Sequence, residues 1–291
     1  MRDARLVSGA ALLIVAWLAG CDAQRPGAPA EDSGTKGLRP VIVQGAMDLE
    51  VRKLAAALDN VSVENVQGWT FWRGTLDGYP VVVSKTMKGV SSAAAATTIA
   101  ADHYHPAAIV NQGTAGGHEP QLRVYDIVLG KFAVNLGSFK TAYRKAGEGS
   151  DFREWKPLDL MKTEGSAGED PNAHSMRRFQ ASGQLLDAAV SVKHLYRKGR
   201  VVEGVIGSSE IWNSELDRIE RFHDQYGTSV EEMETASAAQ IADIVRIPFL
   251  GIRVVSNNIT NGGTYDPKTG EACQEYVYEV VKAYISTRAK R

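Results

Sequence analysis

Short apolar runs rich in Val and Ile alternate along this chain with helical segments rich in Ala, and this alternation is the feature that most restricts its fold. The runs include "VIV" at residue 41, "AIV" at 108 and "PFLGIRVV" at 248, while "SSAAAATTIAADHY" and "ETASAAQIADIV" read as helices of small residues. Strands that are apolar throughout are typical of a parallel sheet buried on both faces. We therefore expect one three-layer α/β domain with a mixed, mostly parallel central sheet flanked by helices.

Local signals refine this pattern. A hairpin is predicted from residues 71–75 and 81–84, with a turn at Asp77-Gly78. "VYDIVLGKFAVNLG" and "VVEGVIGSSEIW" predict further strands, and "CQEYVYEVVKAYISTR" predicts a closing helix with an apolar stripe. The polar, Gly-rich stretch from 146 to 174 carries no clear element.

The N-terminus has the pattern of an export signal. Arg2 and Arg5 precede an apolar run over residues 6–18, which is short for a membrane-spanning helix. The run ends in "LAGC" at Cys21, and this sequence resembles the lipobox of bacterial lipoproteins, in which the cysteine is lipidated. A plain secretory signal and an uncleaved anchor helix are the alternatives.

This pattern divides the chain into three parts. Residues 1–20 are predicted as a lipoprotein signal peptide, residues 21–40 as a disordered tether rich in Pro, Gly and charge, and residues 41–291 as the folded domain. We expect a lipid anchor in a bacterial cell envelope, with the domain facing the periplasm. Asp22 resembles an inner-membrane retention signal.

Composition excludes several classes of function. The formal net charge of −1 lacks the basic excess of a nucleic-acid-binding protein, so no nucleic-acid partner is expected. If Cys21 is lipidated, Cys273 is left without an intramolecular partner, and we interpret it as a buried hydrophobic residue. His103 and His105 would point to different faces of a helix, so we expect neither a metal site nor a cofactor.

"VEEMETASAAQ", residues 230–240, places three glutamates before a helix of small residues. A solvated helix start would account for Glu231 and Glu232, because anionic side chains favour the positive end of the helix dipole. Glu234 lies where the pattern turns small and apolar, so we expect it to be buried and to need a partner.

Three other stretches carry polar residues at the ends of predicted strands, where ligands bind in α/β sheets. "NQGTAGG", residues 111–117, would let backbone N–H groups approach an anion or a ribose edge, although it matches neither a Walker A loop nor GxGxxG. "GAMDLEV" places Glu50 one helical turn after Gly45, and "RVVSNN" closes the last strand.

In this order and spacing, these motifs resemble the nucleoside phosphorylase/nucleosidase superfamily, and most closely the 5′-methylthioadenosine/S-adenosylhomocysteine nucleosidases. The resemblance runs from about residue 41 to the closing helix and implies a phosphorylase/hydrolase-like fold. It also implies a homodimer or higher homo-oligomer, because related active sites borrow residues from a neighbour.

The resemblance assigns roles to individual residues. Glu50 matches the general base for the attacking water, Glu234 matches the carboxylate that binds the ribose hydroxyls, and Arg253 matches an arginine that orients the glutamates. The other matched residues line the substrate pocket: Ala46 beside the water position, Thr114 and Gly116 at the ribosyl floor, Met233 on the ribose face, and Ile211 and Trp212 against or beside the purine.

Asn257 departs from the nucleosidase pattern. The nucleosidases have an aspartate there that protonates N7 of the departing adenine, whereas an amide has no proton to supply. Asparagine resembles instead the phosphorylases that favour 6-oxopurines, so the base preference stays open. Asn258 is adjacent and is the alternative residue to face the pocket.

Three functions remain open, with hydrolysis of the N-glycosidic bond of a purine nucleoside favoured. A carboxylate at position 50 repels phosphate and activates water, although Lys85 and Lys88 leave a purine nucleoside phosphorylase as an alternative. A nucleoside-binding lipoprotein without catalysis is the other alternative, and Asn257 favours it.

Overall fold

A mixed β-sheet forms the centre of the computed structural model, which describes residues 37–162 and 174–288. In chain order the strands are β1 (Val41–Gly45), β2 (Asp59–Val66), β3 (Trp69–Leu76), β4 (Tyr79–Lys85), β5 (Ala108–Gly117), β6 (Ile127–Asn135), β7 (Phe139–Lys140), β8 (Lys156–Pro157), β9 (Arg178–Gln180), β10 (Val201–Ser208), β11 (Val230–Glu232) and β12 (Phe249–Asn257). The helices are α1 (Asp48–Ala56), α2 (Val90–Tyr104), α3 (Gly183–Val192), α4 (Leu216–Tyr226), α5 (Thr235–Ile244) and α6 (Thr269–Arg288).

The strand order is β2-β3-β4-β1-β5-β12-β6-β10-β11, with β9 paired to β6 and with β7 and β8 in a separate small sheet. Pairing is parallel from β4 through β1 and β5 to β12, and again from β6 through β10 to β11. It is antiparallel within β2-β3-β4 and between β12 and β6. The expected mixed, mostly parallel sheet is confirmed.

The sheet also closes on itself. β11 pairs antiparallel with β5 through Val230 and Glu231, so β5, β12, β6, β10 and β11 form a ring. A small apolar cluster, which includes Val128, Ile206 and Val255, packs among the strands of this ring. The sequence pattern did not predict the closure, because β11 has only three residues and two of them are glutamates.

Alternate side chains of the central strands supply two different cores. On β1, Val41 and Val43 pack with residues of α1, α3 and α6, whereas Ile42 packs with residues of α2 and α5. α4 covers the β6 and β10 side through Phe222 and Tyr226. Helices therefore lie on both faces of the sheet, as the apolar strands predicted.

The predicted hairpin is confirmed as β3 and β4, joined by Asp77 and Gly78, both with positive φ. Cys273 is buried as expected, and His105 caps the end of α2. The elements missed from the sequence include β2, α3, α4 and β11. Among the helices of residues 37–162 and 174–288, none combines the length and apolarity needed to cross a membrane.

The predicted signal peptide over residues 1–20, Cys21, Asp22 and all of the tether except residues 37–40 lie outside the described residues. Residues 163–173 and 289–291 lie outside them as well.

Candidate active site

Glu50 lies in the first turn of α1, where its buried carboxylate accepts four hydrogen bonds. Oε2 accepts from the main-chain N–H groups of Ala46 and Met47 at 3.0 and 3.1 Å. Oε1 accepts from the N–H and the hydroxyl of Thr114 at 2.8 and 3.0 Å. One carboxylate therefore joins the end of β1 to β5.

The glycine-rich stretch "NQGTAGG" belongs to β5 itself. A Cβ at Gly113 would lie 2.8 Å from Oε1 of Glu50, so only glycine lets this carboxylate approach the strand. The expectation that the backbone here binds an external anion therefore needs correction at Thr114, where the N–H binds the carboxylate of Glu50.

Glu231 and Glu232 are buried, so their interpretation as a solvated helix start is wrong. Both lie on β11, whose pairing with β10 and β5 encloses them, and α5 begins only at Thr235. A buried carboxylate needs compensating donors or charge. Each of the two has a partner of this kind: His118 for Glu231 and Arg253 for Glu232.

Arg253 lies on β12 beneath the site and is almost completely buried. Its guanidinium forms an ion pair with Glu232 and donates to the main chain and side chain of Asn111 at 3.0 and 2.6 Å. Burial opposes ionisation of Glu232, but the charge of Arg253 and a hydrogen bond from Ser208 hold the pKa of that carboxyl below its ordinary value. The charge of Arg253 is thus neutralised by Glu232.

Glu234 is the carboxylate with room for another donor. It is the N-cap residue of α5, and its Oε1 accepts from the N–H of Gly89 at 2.9 Å. Arg253 lies 3.9 Å from its Oε2, too far for a hydrogen bond. Burial and repulsion from Glu232 raise the pKa of Glu234 to about 8, although Arg253 and Gly89 oppose the shift.

Asn257 and Asn258, at the end of β12, have different surroundings. Asn258 donates to the main-chain oxygen of Leu122 at 2.7 Å, and its Oδ1 caps the following 3-10 turn. Asn257 lies beside β5, with Nδ2 3.4 Å from the position of a Cβ at Gly116, and its Oδ1 accepts from the hydroxyl of Ser256 at 2.9 Å. The side chain of Asn258 is therefore committed to local structure, whereas the NH2 group of Asn257 is oriented toward the strand that carries Thr114.

Comparison with known proteins matches residues 40–286 to the family model described as the phosphorylase superfamily. The chain belongs to the phosphorylase superfamily.

A superfamily relative from Tolumonas auensis, a 5′-methylthioadenosine/S-adenosylhomocysteine nucleosidase, is 28% identical over 248 residues, which cover 85% of this chain and 97% of the relative. A solved nucleosidase of the same name from Neisseria meningitidis, in complex with methylthio-immucillin-A, has a TM-score of 0.68 at 23% identity and covers 84% of this chain and 99% of its own. Futalosine hydrolase of Helicobacter pylori reaches 0.67 at 18% identity, covering 84% and 98%. At these identities the two structures establish a shared fold.

The other residues assigned through the superfamily resemblance differ in exposure. Ala46 is buried, Met233 and Gly116 are half-buried, and Gly116 pairs with Glu231 of β11. Ile211 and Trp212 lie on the loop after β10 and are 43% and 62% exposed. These two apolar side chains therefore lie at the edge of the candidate site, accessible to a ligand or to solvent.

Tyr265 is a site residue that the sequence reasoning missed. Its hydroxyl is buried without a hydrogen-bond partner of proper geometry among the described residues, although it faces Thr114. Its ring meets Trp212 edge to face, with centroids 5.9 Å apart. Burial raises the pKa of this phenol. No motif marks Tyr265, because it lies in the loop between β12 and α6 and reaches the site only through the fold.

In the described part of the chain, no group of three or more His, Cys, Asp or Glu is arranged to hold a metal ion. The chemistry available at the site is that of two carboxylates, Glu50 and Glu234, together with the hydroxyls of Thr114 and Tyr265 and the amide of Asn257. Such a set can bind hydroxyl groups, orient water and stabilise a positively charged intermediate.

Proposed function

We propose that this protein hydrolyses the N-glycosidic bond of a purine nucleoside, of the 5′-methylthioadenosine/S-adenosylhomocysteine type or related to it, to give the free base and a ribose derivative. The observation that carries the proposal is the pair of buried carboxylates, Glu50 and Glu234, at one site where residues 37–162 and 174–288 place no free cation beside them. The nucleosidase relative from Tolumonas auensis, which aligns over most of its own length, supports the same reaction.

Glu234 is the residue proposed to bind the sugar. A carboxylate can accept both hydroxyls of a cis-diol, and Glu234 has acceptor positions left beside its bond from Gly89. Hydroxyl donors favour the ionised carboxylate, so ribose binding lowers the pKa of Glu234 from about 8 and releases a proton near neutral pH.

Glu50 is the proposed general base. Its four acceptor positions are filled by Ala46, Met47 and Thr114, so a water molecule must replace one of these donors. The hydroxyl of Thr114 is the donor that can rotate away, because the other three are main-chain N–H groups. Water then attacks C1′ and gives a proton to Glu50, while the C1′–N9 electron pair leaves with the base. The departing base takes up a proton from solvent, and Glu50 returns its proton to solvent. The negative charges of Glu50 and Glu234 stabilise the oxocarbenium-like transition state.

Hydrolysis is favoured over phosphorolysis because two nearby cations, Lys85 and Arg253, already have carboxylate partners. Nζ of Lys85 lies 3.2 Å from Asp48, and Arg253 is closed against Glu232. Lys88 is exposed to solvent. A phosphate anion would therefore enter beside Glu50 with no unpaired arginine from the described part of the chain to neutralise it.

Asn257 sets the proposed base preference. With Oδ1 accepting from Ser256, its NH2 group can donate to N7 or O6 of a purine. It supplies no proton to N7, so inosine-type nucleosides should compete well with adenine-type ones. The same residue is the specific observation in favour of the second candidate, a nucleoside-binding protein without catalysis.

A nucleoside panel distinguishes these functions. The purified protein is incubated with 5′-methylthioadenosine, adenosine and inosine, with and without phosphate, and the products are separated by chromatography. Free base and reducing sugar in phosphate-free buffer support hydrolysis, and release that depends on phosphate and yields a sugar 1-phosphate supports phosphorolysis. Nucleoside binding without release of the base in either buffer supports the nucleoside-binding protein without catalysis. Glu50→Gln is the matched control for contaminating activity.

We also propose that the protein is a lipoprotein of a bacterial cell envelope, anchored through Cys21, facing the periplasm and held at the inner membrane if Asp22 acts as a retention signal. The sequence "LAGC" and the composition of residues 21–40 support this placement. The superfamily resemblance supports a homodimer or higher oligomer, which light scattering of the active protein tests.

A further inference from the structure

Glu231 receives three hydrogen bonds from two separate parts of the chain. Its Oε1 accepts from the hydroxyl of Ser209 at 2.6 Å, and its Oε2 accepts from the Nδ2 group of Asn213 at 2.9 Å. Nε2 of His118, which directly follows β5, lies 2.9 Å from the same Oε2. Glu231 thus connects the end of β5 to the loop after β10.

The pair of His118 and Glu231 is well suited to hold a fixed position. Both residues are more than nine-tenths buried. Nδ1 of His118 lies 2.8 Å from the hydroxyl of Thr228, and its ring stacks on Phe222 with centroids 6.3 Å apart. Burial opposes ionisation of Glu231, but His118, Ser209 and Asn213 hold the pKa of that carboxyl below its ordinary value.

The two loop residues that Glu231 holds are the first and the last of the segment 209–213. The residues between them include Ile211 and Trp212, whose side chains are exposed. Oδ1 of Asn213 also accepts from the N–H of Glu215 at 3.2 Å, so the amide joins the loop to the start of α4. Within the loop, Glu210 accepts a long hydrogen bond from the N–H of Ser91 at 3.4 Å, and the ring of Trp212 meets Tyr265 edge to face.

We propose that Glu231, supported by His118, is a positioning residue that clamps both ends of the 209–213 loop and thereby sets the affinity of the site for the purine base. The proposal rests on the proposed function, because it takes Ile211 and Trp212 to contact the base. Glu231 itself touches no substrate. Its carboxylate fixes where the two apolar side chains stand, while the ribose and water positions depend on Glu234 and Glu50.

Glu231→Val tests the clamp, because valine leaves all three donors without an acceptor. We expect KM for a purine nucleoside, and Kd for free adenine and hypoxanthine by calorimetry, to rise about tenfold or more, with kcat at saturation within about threefold of wild type. Glu231→Gln should remain within about threefold in all of these values. Its Oε1 can accept from His118 and Asn213, and its NH2 group can donate to the Ser209 hydroxyl.

Glu203→Val is the matched control, because Glu203 is an exposed glutamate on β10, the strand that leads into the loop. It should leave KM and Kd unchanged. If Glu231→Val leaves KM and base affinity unchanged, or changes them only as much as Glu203→Val does, the clamp is refuted. If Glu231→Val does not fold, Asn213→Ala removes one of the three hydrogen bonds to Glu231 by changing a half-buried loop residue. This variant should weaken base binding by about three- to tenfold. Unchanged affinity in that variant refutes the clamp equally.

Base binding also separates the clamp from the proposed function. A wild-type protein that binds purine bases without turning over any nucleoside contradicts the hydrolase, while the effect of Glu231→Val on Kd still decides the clamp. A wild-type protein that binds neither base refutes the clamp as well, because the loop then has no base to place.

Discussion

Replacing Glu234 by glutamine should stabilise the empty protein and weaken nucleoside binding at the same time. Burial and the neighbouring Glu232 raise the pKa of Glu234 to about 8 from a reference of 4.5. Glutamine keeps an acceptor for the N–H of Gly89 but carries no titratable proton. It therefore imitates the protonated form of Glu234, which the empty site favours at neutral pH.

The sign and size of the effect follow from the raised pKa. Between pH 4.5 and 8, the folded state keeps a proton on Glu234 that the unfolded state has released. Its contribution to stability is thus fully present below about pH 4.5 and is lost as pH rises through about 8. At about 1.4 kcal/mol per pH unit, the interval from 4.5 to 7 corresponds to roughly 3 kcal/mol of unfolding free energy. Glu231 and Glu232 have lowered pKa values and do not titrate in this interval.

Urea unfolding of the wild type and of Glu234→Gln at pH 5, 6, 7 and 8 measures this difference. The advantage of the glutamine variant should grow with pH and reach roughly 3 kcal/mol near pH 7. Calorimetric titration at pH 7 should show at least tenfold weaker nucleoside binding, because the amide accepts from the cis-diol through one oxygen instead of two. A stability difference that stays constant from pH 5 to pH 8 would refute the reasoning, since it would mean that Glu234 does not titrate in this range.

Three further predictions concern the reaction and the anchor. Glu50→Gln should lower kcat by about 10²- to 10⁴-fold while nucleoside affinity stays within a few-fold, as measured by turnover and calorimetry; a variant that keeps most of its rate removes the base assignment. Asn257→Asp should raise the rate on 5′-methylthioadenosine more than on inosine. The control Asn258→Asp should not, because the side chain of Asn258 is hydrogen-bonded to Leu122. An unchanged substrate preference in both variants contradicts the idea that the end of β12 recognises the base. Cys21→Ser should abolish membrane association and processing, as measured by cell fractionation and mass spectrometry. An unlipidated protein that still partitions with membranes speaks against the anchor.

The strands and helices around the site follow from local sequence. Val41, Ile42 and Val43 are β-branched and apolar, so the run specifies a buried strand whose alternate side chains supply both cores. The turn at Asp77-Gly78 follows from the ability of those residues to adopt positive φ. Glu50 could be placed after β1 from the same local signals, because a strand, a glycine turn and a helix follow one another within ten residues.

The environment of each glutamate was decided only by tertiary structure. Glu231, Glu232 and Glu234 are neighbours in one short sequence, yet one is bound by His118, one by Arg253 and one by the N–H of Gly89. These partners lie between 21 and 145 residues away along the chain. Residues 230–232 have too few apolar side chains for the sequence to indicate a buried strand. They form one because β10 and β5 supply hydrogen-bond partners on both sides. Whether a carboxylate is solvated, paired or open to a ligand depends on those long-range contacts, which no local pattern encodes.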